Sequence, residues 1–329
     1  MAKFKAFCLI IFLFTILFCL NGCSTKSSYS QKSFYIMGET VKIQIDPKYE
    51  KTKSLFKGCE NLLDSLEKEL SPDNEQSDFW LINEFPEVSL RSIHSKELLE
   101  TAFEISEMCP NFDLTVGAYV DIWNRAAEEG VSPTAEDILS ARNAVGYDKL
   151  SMSGKRVIKP SLDIKINVDG IVYGYVADML VDYLEESGVK YGIVYVGNCA
   201  AVFGKLPQDS AFKIAVTNRE QTIIGYIYLT EGAMCTTHST DRIFNVGEES
   251  YCGWISPFSG YPVSLEKESV VIVAESAAVA NALSTGNFIS DTYVDEFYLC
   301  SEIDFEYIAI INKVESISDG IAGQFEYVD

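Results

Sequence analysis

The stretch KINVDGIVYGYVADMLVDYLEESGVKYGIVYV, residues 165–196, reads as a strand, a glycine turn, a helix and a second strand in succession. Val172, Val176, Met179, Leu180, Tyr183 and Leu184 recur at i, i+4, i+7, i+8, i+11 and i+12, which puts them on one helix face. Gly188 is the stop signal. A helix beginning just after Gly170 leaves its first free N–H groups and the positive end of its dipole at the mouth of the preceding strand, where an anion or a polyphosphate would be held. Such units are also common structural supports in α/β proteins, so both readings stand at this point.

Outward toward the N-terminus, the chain predicts a strand over Phe34–Ile45 (FYIMGETVKIQI) and a helix from about Lys51 to Leu70. Leu55, Leu62, Leu63, Leu66 and Leu70 share a face of that helix, and Pro72 ends it. The segment SPDNEQSDFWLIN reads as a polar loop, and a second helix is expected over Ser95–Met108. Asp113 then stands in an aromatic and apolar run. A carboxylate there is either a cap for the next helix or a ligand-binding group.

Residues 1–22 read as a signal peptide: Lys3 and Lys5 form a positive start, and Ala6–Leu20 is an uncharged apolar run short for a membrane span. The run ends in Leu20-Asn21-Gly22-Cys23, which resembles the bacterial lipobox, and Cys23 is then the lipidated first residue of the mature chain. Ordinary secretion or a retained anchor are the other outcomes of such a run. Residues 23–33 are expected to be a serine-rich tether, and 34–329 the globular body. The expected location is extracytoplasmic, on a membrane through the lipid.

The chain is 329 residues long, 47% hydrophobic and 12% aromatic, enough for one large packed body or two small ones. A net charge of −22 argues against a nucleic-acid partner, because phosphate-backbone affinity needs clustered Lys and Arg. Cys59, Cys109, Cys199, Cys235, Cys252 and Cys300 follow Cys23 without CxxC spacing, so no zinc or redox motif is readable. An even count permits disulfides outside the cytoplasm, with pairing left open.

Five segments in order carry a family resemblance. They are FDLTVGAYVDIW at 112–123, Val145-Gly146-Tyr147-Asp148 after the helical PTAEDILSARNA, the NVDGIVYGYVAD turn, SGYPVS at 259–264, and VVIVAESAAVANALSTGN at 270–287. Together they resemble the bacterial FAD:protein FMN transferases, the ApbE-like flavin transferases. The resemblance implies one α/β (α+β) body with a site for FAD and Mg2+. It implies cleavage of FAD at its pyrophosphate, transfer of FMN to a threonine of an exported flavoprotein, and release of AMP.

Residue by residue, it places Met37 beside the flavin and Asn111, Phe112 and Asp113 against the nucleotide. Asn167 would reach the FAD, Tyr173 would line the phosphate path, and the Gly170 carbonyl, Asn281, Ser284 and Thr285 would hold the metal. Several positions depart from the family pattern. Asn281 and Asn167 stand where aspartate is usual, Tyr173 where a lysine or another long polar residue is usual, and Gly253 where a histidine is usual. Ser256 precedes Pro257 in place of aspartate. His238 compensates as a catalytic group if the fold brings it into the site, and is otherwise a surface or loop residue; His94 reads as structural or solvent-facing. These departures leave a working transferase, an FAD-binding protein without chemistry, and an envelope scaffold as three distinct readings.

Overall fold

The computed structural model describes residues 29–290, 294–311 and 314–328. The apolar run at 6–20 and Cys23 lie outside them. Among the described residues no helix is long and apolar enough to cross a membrane.

The expected strand at 34–45 is a hairpin, β1 (Ser30–Ile36) and β2 (Glu39–Ile45), and it starts inside the serine-rich segment. Met37 (φ 44°) and Gly38 (φ 82°) form a two-residue turn that reverses the chain, because left-handed backbone at both positions matches the twist of a hairpin. Helix α1 (Thr52–Leu70) follows as expected. The expected polar loop contains a helix, α2 (Asp78–Glu84): Ser77 caps it by accepting from the Trp80 N–H, and Phe79 and Ile82 are buried. Beyond β3 (Glu87–Ser89), α3 (Ile93–Met108) starts two residues before its expected position at Ser95, because Ser92 caps it. Helix α4 (Gly117–Glu129) comes next, then α5 (Ala135–Arg142), whose Thr134 and Asp137 form a capping box. The short strands β4 (Ser151–Ser153) and β5 (Arg156–Ile158) pair with each other, and β5 also pairs with β3.

The organising stretch keeps its helix, α6 (Val172–Glu186), and its second strand, β6 (Tyr191–Val196). Its first strand is absent. Lys165 makes a single parallel bridge to Val116, while both backbone groups of Ile166 bond to the Asn83 side chain and the Asn167 N–H goes to Leu114. Those partners leave no sheet edge to join.

From β6 the chain continues through β7 (Cys199–Gly204), β8 (Phe212–Thr217), β9 (Ile223–Leu229) and β10 (Gly232–His238). The hairpin β11 (Ile243–Val246) and β12 (Glu249–Cys252) precedes β13 (Lys267–Ala274) and α7 (Ala277–Ile289). The chain closes with α8 (Val294–Cys300), β14 (Phe305–Ile311), β15 (Val314–Ile317), α9 (Asp319–Ala322) and β16 (Phe325–Tyr327). An eight-stranded sheet in the order β1-β2-β6-β7-β10-β13-β14-β15 is antiparallel throughout. The architecture is one mixed α/β body.

Strand alternation divides the sheet's two faces. Val194, Val196, Ala201, Phe203 and Ile272 join the main core under α6 and α7. Ile193, Val202, Met234 and Val271 point the other way, into a second cluster covered by the three-stranded sheet β16-β9-β8. Helix α7 is buried at every position but Val279. Its N-terminus is held by Asp178 of α6, which accepts from Ser276 Oγ (2.9 Å), the Ala277 N–H (2.8 Å) and the Ala278 N–H (2.9 Å). The two helices cross closely at Gly174, where a β-carbon would come within 2.1 Å of the Ala277 carbonyl oxygen.

Cys199 and Cys235 face each other on β7 and β10 and form a disulfide, with Cα atoms 4.1 Å apart. Cys59, Cys109 and Cys252 are free and buried.

Candidate functional site

The turn before α6, the body of α7, the end of β10 and the β11–β12 hairpin converge on a cleft with two lobes. The first, 210 Å3, is lined by Asn111, Phe112, Asp113, Trp123, Asn167, Gly170, Phe244, Gly253 and Thr285, among others. Trp123 is buried, fixed by its indole N–H to the Gly260 carbonyl (2.9 Å), and packs against Phe244 (5.8 Å) and Tyr251 (5.1 Å between centroids). Aromatic walls with a few amide groups suit a flat heteroaromatic ring. The second lobe, 270 Å3, is lined by Met37, Glu39, Tyr173, Cys199, Thr237, Asp241 and Asn281 with their neighbours. Asp169, Arg242 and Trp254 line both lobes and stand between them.

The expected residues thus sort into two groups. Asn111, Phe112, Asp113, Asn167, Gly170, Gly253 and Thr285 line the first lobe, and Met37, Tyr173 and Asn281 the second. Ser284 lies beneath, fully buried, contacting Thr237 Oγ1 (3.0 Å) and donating to the Asn281 carbonyl (2.9 Å). Two roles change. Asp113 is neither a helix cap nor a free ligand group: its carboxylate accepts from Thr115 N (2.8 Å), Thr115 Oγ1 (2.6 Å) and Tyr147 N (2.9 Å), so it ties two loops of the wall together. Burial nonetheless pushes its pKa up. The start of α6 is partly closed to an anion by the protein's own acceptors. Its N–H groups at Val172 and Gly174 are taken by the Val168 carbonyl (2.9 Å) and Asn281 Oδ1 (3.2 Å).

Tyr173 donates to the Met37 carbonyl (3.3 Å), and burial with the nearby Asp169 carboxylate raises its pKa to about 12, so the phenol is a donor and not a base. A β-carbon on Gly253 would come within 2.5 Å of Arg242 Cβ, so the glycine makes room for the arginine stem.

His238 is not brought into the cleft, and it is not a surface residue. It is 1% exposed at the end of β10, with Nδ1 against Asp241 Oδ1 (3.2 Å) and Nε2 against the Thr217 carbonyl (3.1 Å). Two acceptors on two ring nitrogens favour the imidazolium. Burial works against that charge, but the Asp241 carboxylate and the Thr217 carbonyl outweigh it and the pKa is raised. A raised folded pKa means stability that is full below the ordinary histidine value of about 6.5 and is lost as pH climbs through the folded value. Thermal midpoints should therefore fall with pH in that window, and His238→Gln should flatten this slope while lowering the midpoint throughout. An unchanged slope in the variant would sink the assignment. His94 sits in the first turn of α3, bonded to Tyr175 Oη (2.9 Å), and is structural.

The residues expected to hold Mg2+ offer neutral oxygens, the Gly170 carbonyl and the hydroxyls of Ser284 and Thr285; Thr237, which was not expected there, adds another hydroxyl, and Thr285 Oγ1 lies 3.4 Å from the Gly170 carbonyl and 3.4 Å from Thr237 Oγ1. Asn281 adds an amide whose oxygen is already bonded to Gly174. Among the described residues no group of three His, Cys, Asp or Glu could hold a metal. A hard divalent cation is ordinarily held by at least one carboxylate, so this donor set does not fit Mg2+ as it stands.

Sequence reasoning missed the centre of the cleft. The Arg242 guanidinium is ion-paired through Nη1 to Asp169 Oδ2 and lies 5.4 Å from the Trp254 ring centroid. Asp169 is in turn held by Asn167, whose amide donates to Oδ2 (2.8 Å) and accepts from the Asp169 N–H (3.0 Å). The readable signal was a lone cation in TTHSTDRIF, in a chain with 26 basic and 48 acidic residues.

The fold is that of solved flavin-transferase structures. The crystal structure of the ApbE protein from Thermotoga maritima superimposes with a TM-score of 0.79 at 23% identity, covering 90% of this chain and 99% of that one. Flavin Transferase ApbE from Vibrio cholerae gives 0.76 at 19% identity with the same coverage. Residues 37–297 match the ApbE family, and the chain belongs to it. Curated relatives include the FAD:protein FMN transferases of Vibrio cholerae, 22% identical over 81% of this chain and 83% of that protein, and of Buchnera aphidicola, 25% identical over 84% of each.

Proposed function

We infer that the chain binds FAD across the two lobes and acts as an FAD:protein FMN transferase, passing FMN to a threonine hydroxyl of an exported flavoprotein. The observation that carries this is the convergence of ten expected positions on one cleft in a chain of this family. In this reading the threonine oxygen bonds to the FMN phosphorus, the bridging P–O bond breaks, and AMP leaves with the electron pair. The hydroxyl proton passes to solvent. The aromatic first lobe takes the adenine side and the Met37 lobe the flavin side. Divalent metal in the family supplies charge stabilisation to the phosphates. What this chain's own residues do is bind, orient and shield them.

A second reading, FAD binding without transfer, is favoured by the neutral oxygen set around Thr285. One experiment addresses both. The soluble portion is supplied with FAD, Mg2+ and an acceptor carrying the threonine target, and covalent flavin is read by in-gel fluorescence beside AMP release. Both products are expected at a low rate. A flavin complex without AMP would support the binding protein, and no complex would remove both readings.

The location proposed is the extracytoplasmic face of a membrane, through acylated Cys23. The Cys199–Cys235 bond supports an oxidising compartment. Mass spectrometry of the native N-terminus tests it, an unmodified start being the contrary result.

A further inference from the structure

Among the described residues lining either lobe, Arg242 is the one cation. Glu39, Asp169 and Asp241 line the second lobe beside it, and Asp113 and Asp169 the first. A dinucleotide that spans the lobes has to pass its two phosphates between them, where Arg242, Asp169 and Trp254 stand. Phosphates entering a site whose other charges are carboxylates are repelled unless a cation meets them. The oxygens around Thr285 do not fit a divalent ion, which leaves the guanidinium.

The arginine is built for that position. Its stem passes over the bare α-carbon of Gly253, its plane lies near the Trp254 ring, and its side chain is 37% exposed, so the fork is reachable from the cleft. Its present partner has a second holder: when the guanidinium turns to another anion, the Asn167 amide still donates to Asp169 Oδ2. A carboxylate at 167 could not donate.

We propose that Arg242 is the diphosphate-binding residue of this cleft, exchanging Asp169 for the phosphates, so that a dinucleotide is held without a divalent cation. This rests on FAD as the ligand. Arg242 is here a binding residue for a bridging diphosphate, and Asp169 the counter-ion that keeps its place until the ligand arrives.

The test uses the soluble portion in the presence of a chelator, with FAD and riboflavin titrated separately by flavin fluorescence. Riboflavin carries the ring system and no phosphate. Arg242→Gln is expected to weaken FAD about 10- to 100-fold, the range of a lost charge-assisted contact, and to leave riboflavin unchanged. Asp169→Asn, which removes the competing charge, is expected to tighten FAD. For the parent, FAD affinity should be the same with and without Mg2+. The proposal is overturned if Arg242→Gln leaves FAD affinity intact, if it weakens FAD and riboflavin equally, or if Mg2+ raises the parent's FAD affinity tenfold or more. A parent that binds no FAD at all would instead overturn the choice of ligand, and this proposal with it.

Discussion

Asn281→Asp is expected to raise the chain's affinity for Mg2+. Asn281 Oδ1 accepts from the Gly174 N–H at 3.2 Å, and one carboxylate oxygen would keep that bond. The other would replace the amide nitrogen at the second lobe, one helical turn from Thr285, whose hydroxyl lies 3.4 Å from the Gly170 carbonyl. The swap is nearly isosteric, so the change is electrostatic. A charged contact of about 1.5 to 3 kcal/mol corresponds to a gain of roughly 10- to 150-fold. Isothermal titration with MgCl2 reads it directly, and equal heats for parent and variant would show that no cation position adjoins residue 281.

The second large effect concerns the crossing of α6 and α7. Asp178→Ala is expected to cost about 2 to 4 kcal/mol, because it strips a buried helix start of its acceptor for two N–H groups and the Ser276 hydroxyl. Gly174→Ala should be at least as damaging, since the Ala277 backbone and not a flexible side chain stands in the way. Urea denaturation monitored by circular dichroism measures both. A loss below about 0.5 kcal/mol in each would mean that the crossing is not what holds α7 in place. Cleft geometry should suffer with stability, because Asn281 and Thr285 ride on that helix.

What the sequence made legible follows from how local each signal is. Helix α6 was readable because its apolar face repeats with the helical period, and α1 because its leucines do the same and a proline closes it. The first strand of the organising stretch was misread: alternation at Ile166 and Val168 satisfies burial in a loop as well as in a sheet, and the side chain of Asn83 that takes its backbone bonds lies about eighty residues away. Helix α2 was hidden because a seven-residue helix capped by serine looks like a polar loop with two apolar residues. In the site, residues inside ordered motifs were placed on the correct cleft. Arg242 was not, because its meaning depends on Asp169, 73 positions away, and no periodicity joins an ion pair across that distance. His238 was misjudged for the same reason: its Thr217 partner comes from the neighbouring sheet.

The Cys199–Cys235 bond has a consequence for how this body can change over time. Strands β7 and β10 are direct neighbours, yet the chain between them leaves to build β8 and β9 on the opposite face and then returns. Two of the outer layer's three strands, β8 and β9, are in effect an excursion that begins and ends at one clasp, and β16 joins them alongside β9. The excursion's edge strand and turns can lengthen, shorten or acquire new surface at little entropic cost, since closing a longer loop on fixed ends grows only logarithmically more expensive. The cleft lies on the far side of the sheet from that layer. Lineages can therefore remodel what the outer face touches while the ligand-holding half stays as it is.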